Sequence, residues 1–352
     1  MQHITLSPEA KALMRNAGLL NLSDAKGLKP VRLARDMGMS VEKVISILEE
    51  INAAMTEPTA PVPTALSLMN DGTKQLNYIV TYSKAIDKMM QGGVSVGQLT
   101  EFCGLPGVGK TQLCMQLAID TTIPAVFGGI EGEVVYIDSE GSLSIERLSE
   151  IANGVLVNLG LVASSPNGNS SLRENQRNAL NQLGGLDSLL GKIYYWRVYD
   201  CVELMACVKR LHEFLCTHPK VKLIIVDSVA FHFRQDLSDM GTRNRVLNEL
   251  GQTLHRTHMD FSVGVVVTNQ MTTSFSNGET FHIPALGEAW AHMVTCRVLV
   301  SRTNDASLVA KRTRSDANIT STVRLARIVK SHILPNSEAK FIITKKGVRD
   351  CK

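Results

Sequence analysis

Apolar positions recur along this chain in two rhythms, and the change between them divides it. Over residues 5–55 the period is helical. In Val41–Ile51 the apolar residues Val44, Ile45, Leu48 and Ile51 recur at helical spacing. Ser7 ahead of Pro8 and Glu9 reads as a helix cap with proline in the first turn. Ser40 reads as the cap of Val41–Ile51, with Lys43 where a capping box places Glu. Gly18, Gly27, Lys29-Pro30 and Gly38-Met39 punctuate what we read as a bundle of about four short helices. Glycine-bearing turns suit a helix-hairpin-helix arrangement docked on DNA phosphates; a plain protein-binding bundle fits equally well.

Residues 56–77 change character. Pro58, Pro61 and Pro63 each remove a backbone donor and fix φ, so this stretch predicts an extended linker. It carries a short apolar segment, Thr64-Ala65-Leu66-Ser67-Leu68. Either Thr64, Ala65 and Leu66 add as a strand to a neighbouring subunit, or the segment packs on its own core.

From Ile79 onward, short apolar runs alternate with helical stretches. Strands are predicted at Leu99–Cys103, Glu133–Ile137, Ile193–Val198, Leu223–Val226, Val263–Thr268, Arg297–Ser301, Val323–Val329 and Lys340–Thr344. Helices are predicted at Gln112–Ile119, Ile145–Leu156, Glu203–Leu215 and Arg245–His255. This alternation implies an α/β core over residues 78–352, with a mainly parallel central sheet covered on both faces. Between Asn158 and Gly185 the chain turns polar, and Ser164–Ser171 reads as part of an exposed, mobile insertion.

Composition narrows the class without deciding it. The 352 residues are 44% hydrophobic and 20% charged, as in an ordinary globular protein. No apolar run approaches the roughly 18 residues that span a bilayer, and Met1–Ala10 lacks the pattern of a secretory leader. Seven scattered cysteines, none in a C-x-x-C pair, predict buried thiols in a reducing compartment. A net charge of +4 permits a nucleic-acid partner without arguing for one.

The chemistry begins at Gly104-Leu105-Pro106-Gly107-Val108-Gly109-Lys110-Thr111, a full match to G-x-x-x-x-G-K-[ST] between a strand and a helix. Its glycines let the backbone curl with N–H groups inward, toward phosphate oxygens. Lys110 is placed for the β- and γ-phosphates of ATP and Thr111 for Mg²⁺, with Gln112 beside them. Asp227 ends the apolar run Leu223–Val226, where parallel sheets bind ligands, and is the second candidate for Mg²⁺. Hydrolysis needs a group that orients water. Many P-loop ATPases place Glu directly after the strand-end Asp; this chain has Ser228 there. Glu140, in Asp138-Ser139-Glu140-Gly141, is the candidate instead, and Gln270, in Thr268-Asn269-Gln270, is a candidate sensor of the γ-phosphate.

These residues together resemble the RecA/RadA family of recombination ATPases over nearly the whole chain. Gly104–Gln116, Ile123–Gly132, Thr268–Thr273 and Pro284–Trp290 are similar to its C-type paralogue branch. The resemblance implies that Glu140 is the catalytic glutamate, with Lys110 and Gln270, and that Arg147 stacks on adenine. It implies that Pro335 caps ATP bound to a neighbouring subunit. It further implies disordered-type DNA loops at residues 231–242 and 271–286, with Arg234, Arg243, Thr272 and Thr273 as DNA-binding residues and Phe275, His282 and Trp290 in or beside the second loop. Met240 stands where the recombinase has a second DNA-contacting arginine, and Pro63–Leu66 lacks the Phe-x-x-Ala of polymerising members.

The expected function is a DNA-dependent ATPase subunit of a recombinase-paralogue complex in the nucleus. It would assist recombinase filaments on single-stranded or branched DNA during double-strand-break repair, with B-type, D-type and X-type paralogues and the main recombinase as partners. A strand-exchange recombinase and a hexameric RecA-type helicase are the alternatives. His232, His282 and His292 are read as partly buried polar groups or DNA contacts. Lys311-Arg312-Thr313-Arg314 reads as a solvated hairpin turn, a DNA contact or a nuclear address.

Overall fold

The structure is a computed structural model that describes residues 7–16, 29–55, 64, 66–67, 78–165, 170–236, 239–276, 279–303 and 322–351. The chain divides into two compact units, Met1–Gln75 and Leu76–Lys352.

In the first unit, three helices are described: Pro8–Asn16, Pro30–Met37 and Val41–Met55. Ser7 Oγ accepts from Ala10 N at 3.1 Å and donates to Glu50 Oε2 at 2.7 Å, so the cap also ties the first helix to the third. Ser40 Oγ accepts from Lys43 N at 3.3 Å. Val44, Ile47, Leu48 and Ile51 are buried with Ala10, Leu13, Leu33 and Ala34. Ile45, expected inside, is 40% exposed, because the i, i+3, i+4, i+7 stripe runs through Ile47. Lys29-Pro30, expected to interrupt, starts a helix instead, since proline at the first helical position gives up no bonded N–H. The linker is described only at Thr64, Leu66 and Ser67. Leu66 and Ser67 are helical and exposed, and Ala65 lies outside the described residues.

In the second unit, β1 (Tyr78–Ile79) and β2 (Val94–Ser95) form a small antiparallel pair. The main sheet contains β3 (Leu99–Cys103), β4 (Glu133–Asp138), β5 (Ile193–Arg197), β6 (Val221–Asp227) and β7 (Gly264–Asn269). It also contains β10 (Cys296–Arg302), β11 (Arg324–Lys330), β12 (Glu338–Thr344) and β13 (Gly347–Asp350). Its order is β13-β12-β11-β10-β3-β7-β6-β4-β5. The six strands from β10 to β5 are mutually parallel, and β11 to β13 extend the sheet antiparallel.

Period-2 alternation sorts the apolar residues of each strand to two faces. Val135, Ile137, Ile224, Val226, Val265 and Val267 pack under helices Cys201–Thr217, Met240–Phe261 and Gly287–Met293. Val134, Tyr136, Leu223, Ile225, Val266 and Phe102 pack on the other face, with helices Lys84–Met89 and Lys110–Thr121. Each full burial of this kind contributes about 1.5–3 kcal/mol. Gln116, on the helix Lys110–Thr121, accepts at Oε1 from Val348 N (2.9 Å) and donates to Asp120 Oδ1 (2.7 Å), so the antiparallel extension is tied to that helix. Burial raises the Asp120 carboxyl well above the carboxylate range.

Two stretches differ from the sequence expectation. The supposed insertion is helical in its described residues: the helix from Ile145 continues to Ser164, helices Ser170–Gln182 and Gly185–Leu190 follow, and 166–169 lie outside the described residues. Leu159, Ala163, Leu183 and Leu189 are buried there among polar neighbours, a narrow apolar stripe that average polarity hides. The expected DNA loops also have regular structure. Residues 231–242 contain the end of a helix Ala230–Gln235 and the start of Met240–Phe261. Within 271–286, β8 (Met271–Ser276) pairs with β9 (Glu279–Pro284) as an antiparallel hairpin. Thr, Phe and Ile favour strands, and the sequence Asn277-Gly278 stands between the paired Ser276 and Glu279.

The antiparallel strands carry much of the core, so Phe341→Ala is expected to cost about 3–5 kcal/mol. Phe341 is 0% exposed. Denaturant melts of the two proteins measure the loss, and equal midpoints would place Phe341 outside the core.

Candidate nucleotide site

β3, β7, β6 and β4 lie side by side and end at the same edge of the sheet, and each delivers one part of the site. From β3 comes the P-loop. Gly109 has φ 108°, and a Cβ there would lie 2.5 Å from Ile343 Cδ1. A Cβ on Gly104 would lie 2.3 Å from the Val300 carbonyl oxygen, so no side chain fits at either position. Lys110 Nζ donates to the carbonyls of Gly104 (2.9 Å) and Leu105 (3.2 Å), which holds its charge within the curl. Burial lowers the pKa of this ammonium, against the opposing charges of Asp227 and Glu140.

β6 ends at Asp227, which is 2% exposed. Its carboxylate accepts from Tyr136 OH (2.9 Å) and from the Thr268 hydroxyl. Burial raises its pKa, and Thr268, the nearby Thr111 hydroxyl and Tyr136 oppose the rise. Thr111 and Asp227, predicted separately, thus stand together.

β4 ends at Asp138, whose role is not evident in the sequence. Its Oδ1 accepts from the backbone N–H groups of Glu140 (3.1 Å), Gly141 (2.7 Å) and Ser142 (3.3 Å). Its Oδ2 accepts from Leu143 N (3.3 Å) and Tyr195 OH (3.1 Å). Asp138 therefore shapes the turn that presents Glu140, and an aspartate opening a glycine-containing turn is the signal for it.

Glu140 Oε1 accepts from Ser228 Oγ at 2.5 Å and from Gln270 Nε2 at 2.9 Å. Ser228, at the position where other P-loop ATPases carry Glu, is here the partner of a Glu from the adjacent strand. Gln270 Oε1 in turn accepts from Arg234 Nη1 at 3.1 Å. One chain of hydrogen bonds therefore runs from the candidate catalytic carboxylate to the helix Ala230–Gln235.

Two arginines complete the loop from outside. Each takes up a loop carbonyl that Lys110 does not reach. Arg302 Nη2 donates to Gly107 O and Arg324 Nε to Val108 O, both at 2.9 Å. Burial, then the charge of Arg302, lowers the Arg324 pKa. Sequence reading missed both, because they lie far along the chain on β10 and β11.

A family model described as Rad51 matches residues 73–165 and 167–351. The chain belongs to the Rad51 family. It is 36% identical over 354 residues to DNA repair protein RAD51 homolog 3 of Cricetulus griseus, covering 98% of this chain and 90% of that protein. The protein of the same name in Dictyostelium discoideum is 38% identical over 238 residues, 67% of this chain and 60% of that one. DNA repair protein RAD51 homolog 2 of Homo sapiens is 28% identical over 327 residues, with 85% and 79% covered.

The remaining residues singled out in the sequence lie apart from one another. Arg147 has its guanidinium edges occupied by Gln112 Oε1 (2.8 Å), Glu150 Oε2 (2.8 Å), Lys345 O (2.7 Å) and Thr344 O (2.6 Å), an arrangement that fixes its plane. Pro335 is exposed between β11 and β12. β11 begins at Arg324 beside the P-loop and runs away from it for seven residues, about 20 Å. Pro335 thus lies at the opposite edge of the sheet from its own P-loop. Arg234, Thr272 and Thr273 lie on the helix Ala230–Gln235 and on β8, while Arg243 Nη2 donates to Met240 Sδ at 2.7 Å. Trp290, expected in or beside a DNA loop, is 0% exposed in the core. His232 is buried 3.7 Å from Asp236, and His282 is exposed on β9. Lys311–Arg314 lie outside the described residues. Among the described residues, no helix is long and apolar enough to cross a membrane.

Arg324→Ala is expected to weaken binding of an ATP analogue about tenfold, because it frees a P-loop carbonyl. Isothermal titration measures this, and an unchanged affinity would remove Arg324 from the site.

Proposed function

We propose that this chain is an ATP- and DNA-binding subunit of a recombinase-paralogue complex. It promotes homologous recombination and double-strand-break repair by assisting recombinase filament assembly on single-stranded DNA. The observation that carries this reading is the chain Ser228–Glu140–Gln270–Arg234. It joins an ATP-type site to the helix carrying Arg234 and to the strand that enters the β8–β9 hairpin.

The donor set fits magnesium-bound ATP. The curl supplies N–H groups and Lys110 for the phosphates, and Gln112 and Arg147 border the loop. Thr111 and Asp227 would hold the magnesium, which supplies positive charge against the phosphate oxygens. Glu140 orients water toward the γ-phosphate, and Ser228 and Gln270 hold its carboxylate in place. Gln270 bonds Glu140 on one side and Arg234 on the other, so a change at the phosphate end shifts the segments at the DNA end. Arg234, Arg243, Thr272 and Thr273 are the proposed DNA contacts.

Pro335 cannot cover its own chain's P-loop, so the site is a half-site that Pro335 of a neighbouring subunit completes. The segment Thr64-Ala65-Leu66, in which Thr64 and Leu66 are exposed, is the proposed second contact. B-type, D-type and X-type paralogues and the main recombinase are the proposed partners, single-stranded and branched DNA the ligands, and the nucleus the compartment. The RAD51 homologs 3 and 2 named above are DNA repair proteins by name, which supports the same role.

Glu140→Gln is expected to retain ATP binding and lose hydrolysis by at least about a hundredfold. Persistent phosphate release would place the base elsewhere. Sizing the chain with ATP and single-stranded DNA is expected to yield small assemblies; long homofilaments would favour the strand-exchange recombinase.

A further inference from the structure

The strand that delivers the P-loop carries a second carboxylate that the nucleotide site does not use. Glu101 lies three residues before Gly104 and is 0% exposed. Its Oε1 accepts from Asn269 Nδ2 and from Trp290 Nε1, both at 2.8 Å. Its Oε2 accepts from the Arg297 guanidinium. A buried carboxylate is tolerated only with such a set of donors, and removing one strands the others.

The position of those donors is informative. Asn269 ends β7 and precedes Gln270 and β8. Trp290 lies on Gly287–Met293, the helix that follows β9. One carboxylate therefore holds both feet of the β8–β9 hairpin. The feet are also joined directly: Asn269 Nδ2 donates to Ala285 O, and Ala285 N donates to Gln270 O, both at 2.9 Å. The far end of the exit helix is held by Lys330 Nζ on the carbonyls of Ala291 (2.5 Å) and Val294 (2.7 Å). Beyond its feet the hairpin stands off the main sheet as a separate two-stranded unit, with Phe275 at 74% and Phe281 at 46% exposure. An element clamped at its base turns as one body when its base turns.

We propose that Glu101, with Asn269, Trp290 and Arg297, is a positioning cluster that makes DNA binding by the hairpin depend on the nucleotide sensed by Gln270. This rests on the ATP-switch reading above. These residues touch neither nucleotide nor water in the reaction; they act through the backbone on either side of Gln270 and the hairpin.

The test is the ratio of oligo-dT affinities measured by fluorescence anisotropy with a non-hydrolysable ATP analogue and with ADP. It is run on the 352-residue chain and its variants, alongside nucleotide affinity without DNA. Trp290→Phe keeps a ring in the core and removes one donor; Asn269→Ser removes the amide. Both are expected to lower the affinity ratio about fivefold or more while nucleotide affinity stays within about twofold. Glu101→Gln should act in the same direction, and the two milder variants carry the test if it does not fold. Melting-competent Trp290→Phe and Asn269→Ser proteins with the wild-type ratio would overturn the proposal. A wild-type chain whose DNA affinity ignores the nucleotide would instead overturn the switch reading itself, and the coupling with it.

Discussion

Parallel register at the centre of the sheet is the constraint on which the site depends. Asp138 pairs with Asp227, and Cys103 with Asn269. Four strands therefore stop at one level, and the residues just past their ends meet. A one-residue slip of β4 against β6 would turn Asp138 to the other face and carry Glu140 away from Ser228. Burial tightens this packing, since the residues of β6 and β7 other than Lys222 are enclosed on both sides. Ser139 reinforces it: its N–H donates to Asp227 O and its hydroxyl to Ser228 O.

The same edge concentrates buried charge. Glu101, Asp138 and Asp227 are all at most 2% exposed, and each is surrounded by donors. Such groups add little to stability compared with an apolar core of equal volume, but they tolerate few alternative arrangements. That intolerance suits the proposed switch, in which a small change at phosphate moves a distant hairpin. The two arginines behind the P-loop and Lys330 behind the exit helix serve the same end, because each satisfies carbonyls that would otherwise be free to shift.

The asymmetry of the core matters as much as its site. The P-loop and the Pro335 segment occupy opposite edges of the sheet, separated by the length of β11. In the proposed reading, a chain built this way presents a nucleotide on one edge and a covering segment on the other, and head-to-tail contact between subunits completes each site.

Local signals in the sequence determined the P-loop, the strand-end Asp227 and the strand–helix alternation. Those features arise from short-range chemistry: glycine curl, apolar period and strand-end position. Glu140 and Gln270 were legible too, because each follows an apolar strand directly. Polarity misled at Asn158–Gly185, where the stripe facing the core is narrow; at residues 271–286 the resemblance implies a loop, and strand pairing forms a hairpin instead. The resemblance sets Trp290 in or beside a DNA loop; its burial and its bond to the Glu101 carboxylate place it in the core. Tertiary structure alone brought Ser228 to Glu140, Arg302 and Arg324 to the loop carbonyls, and Pro335 to the far edge. The contacts among them join residues 88 to 216 positions apart along the chain. No local pattern encodes them, because each depends on strand order in the sheet.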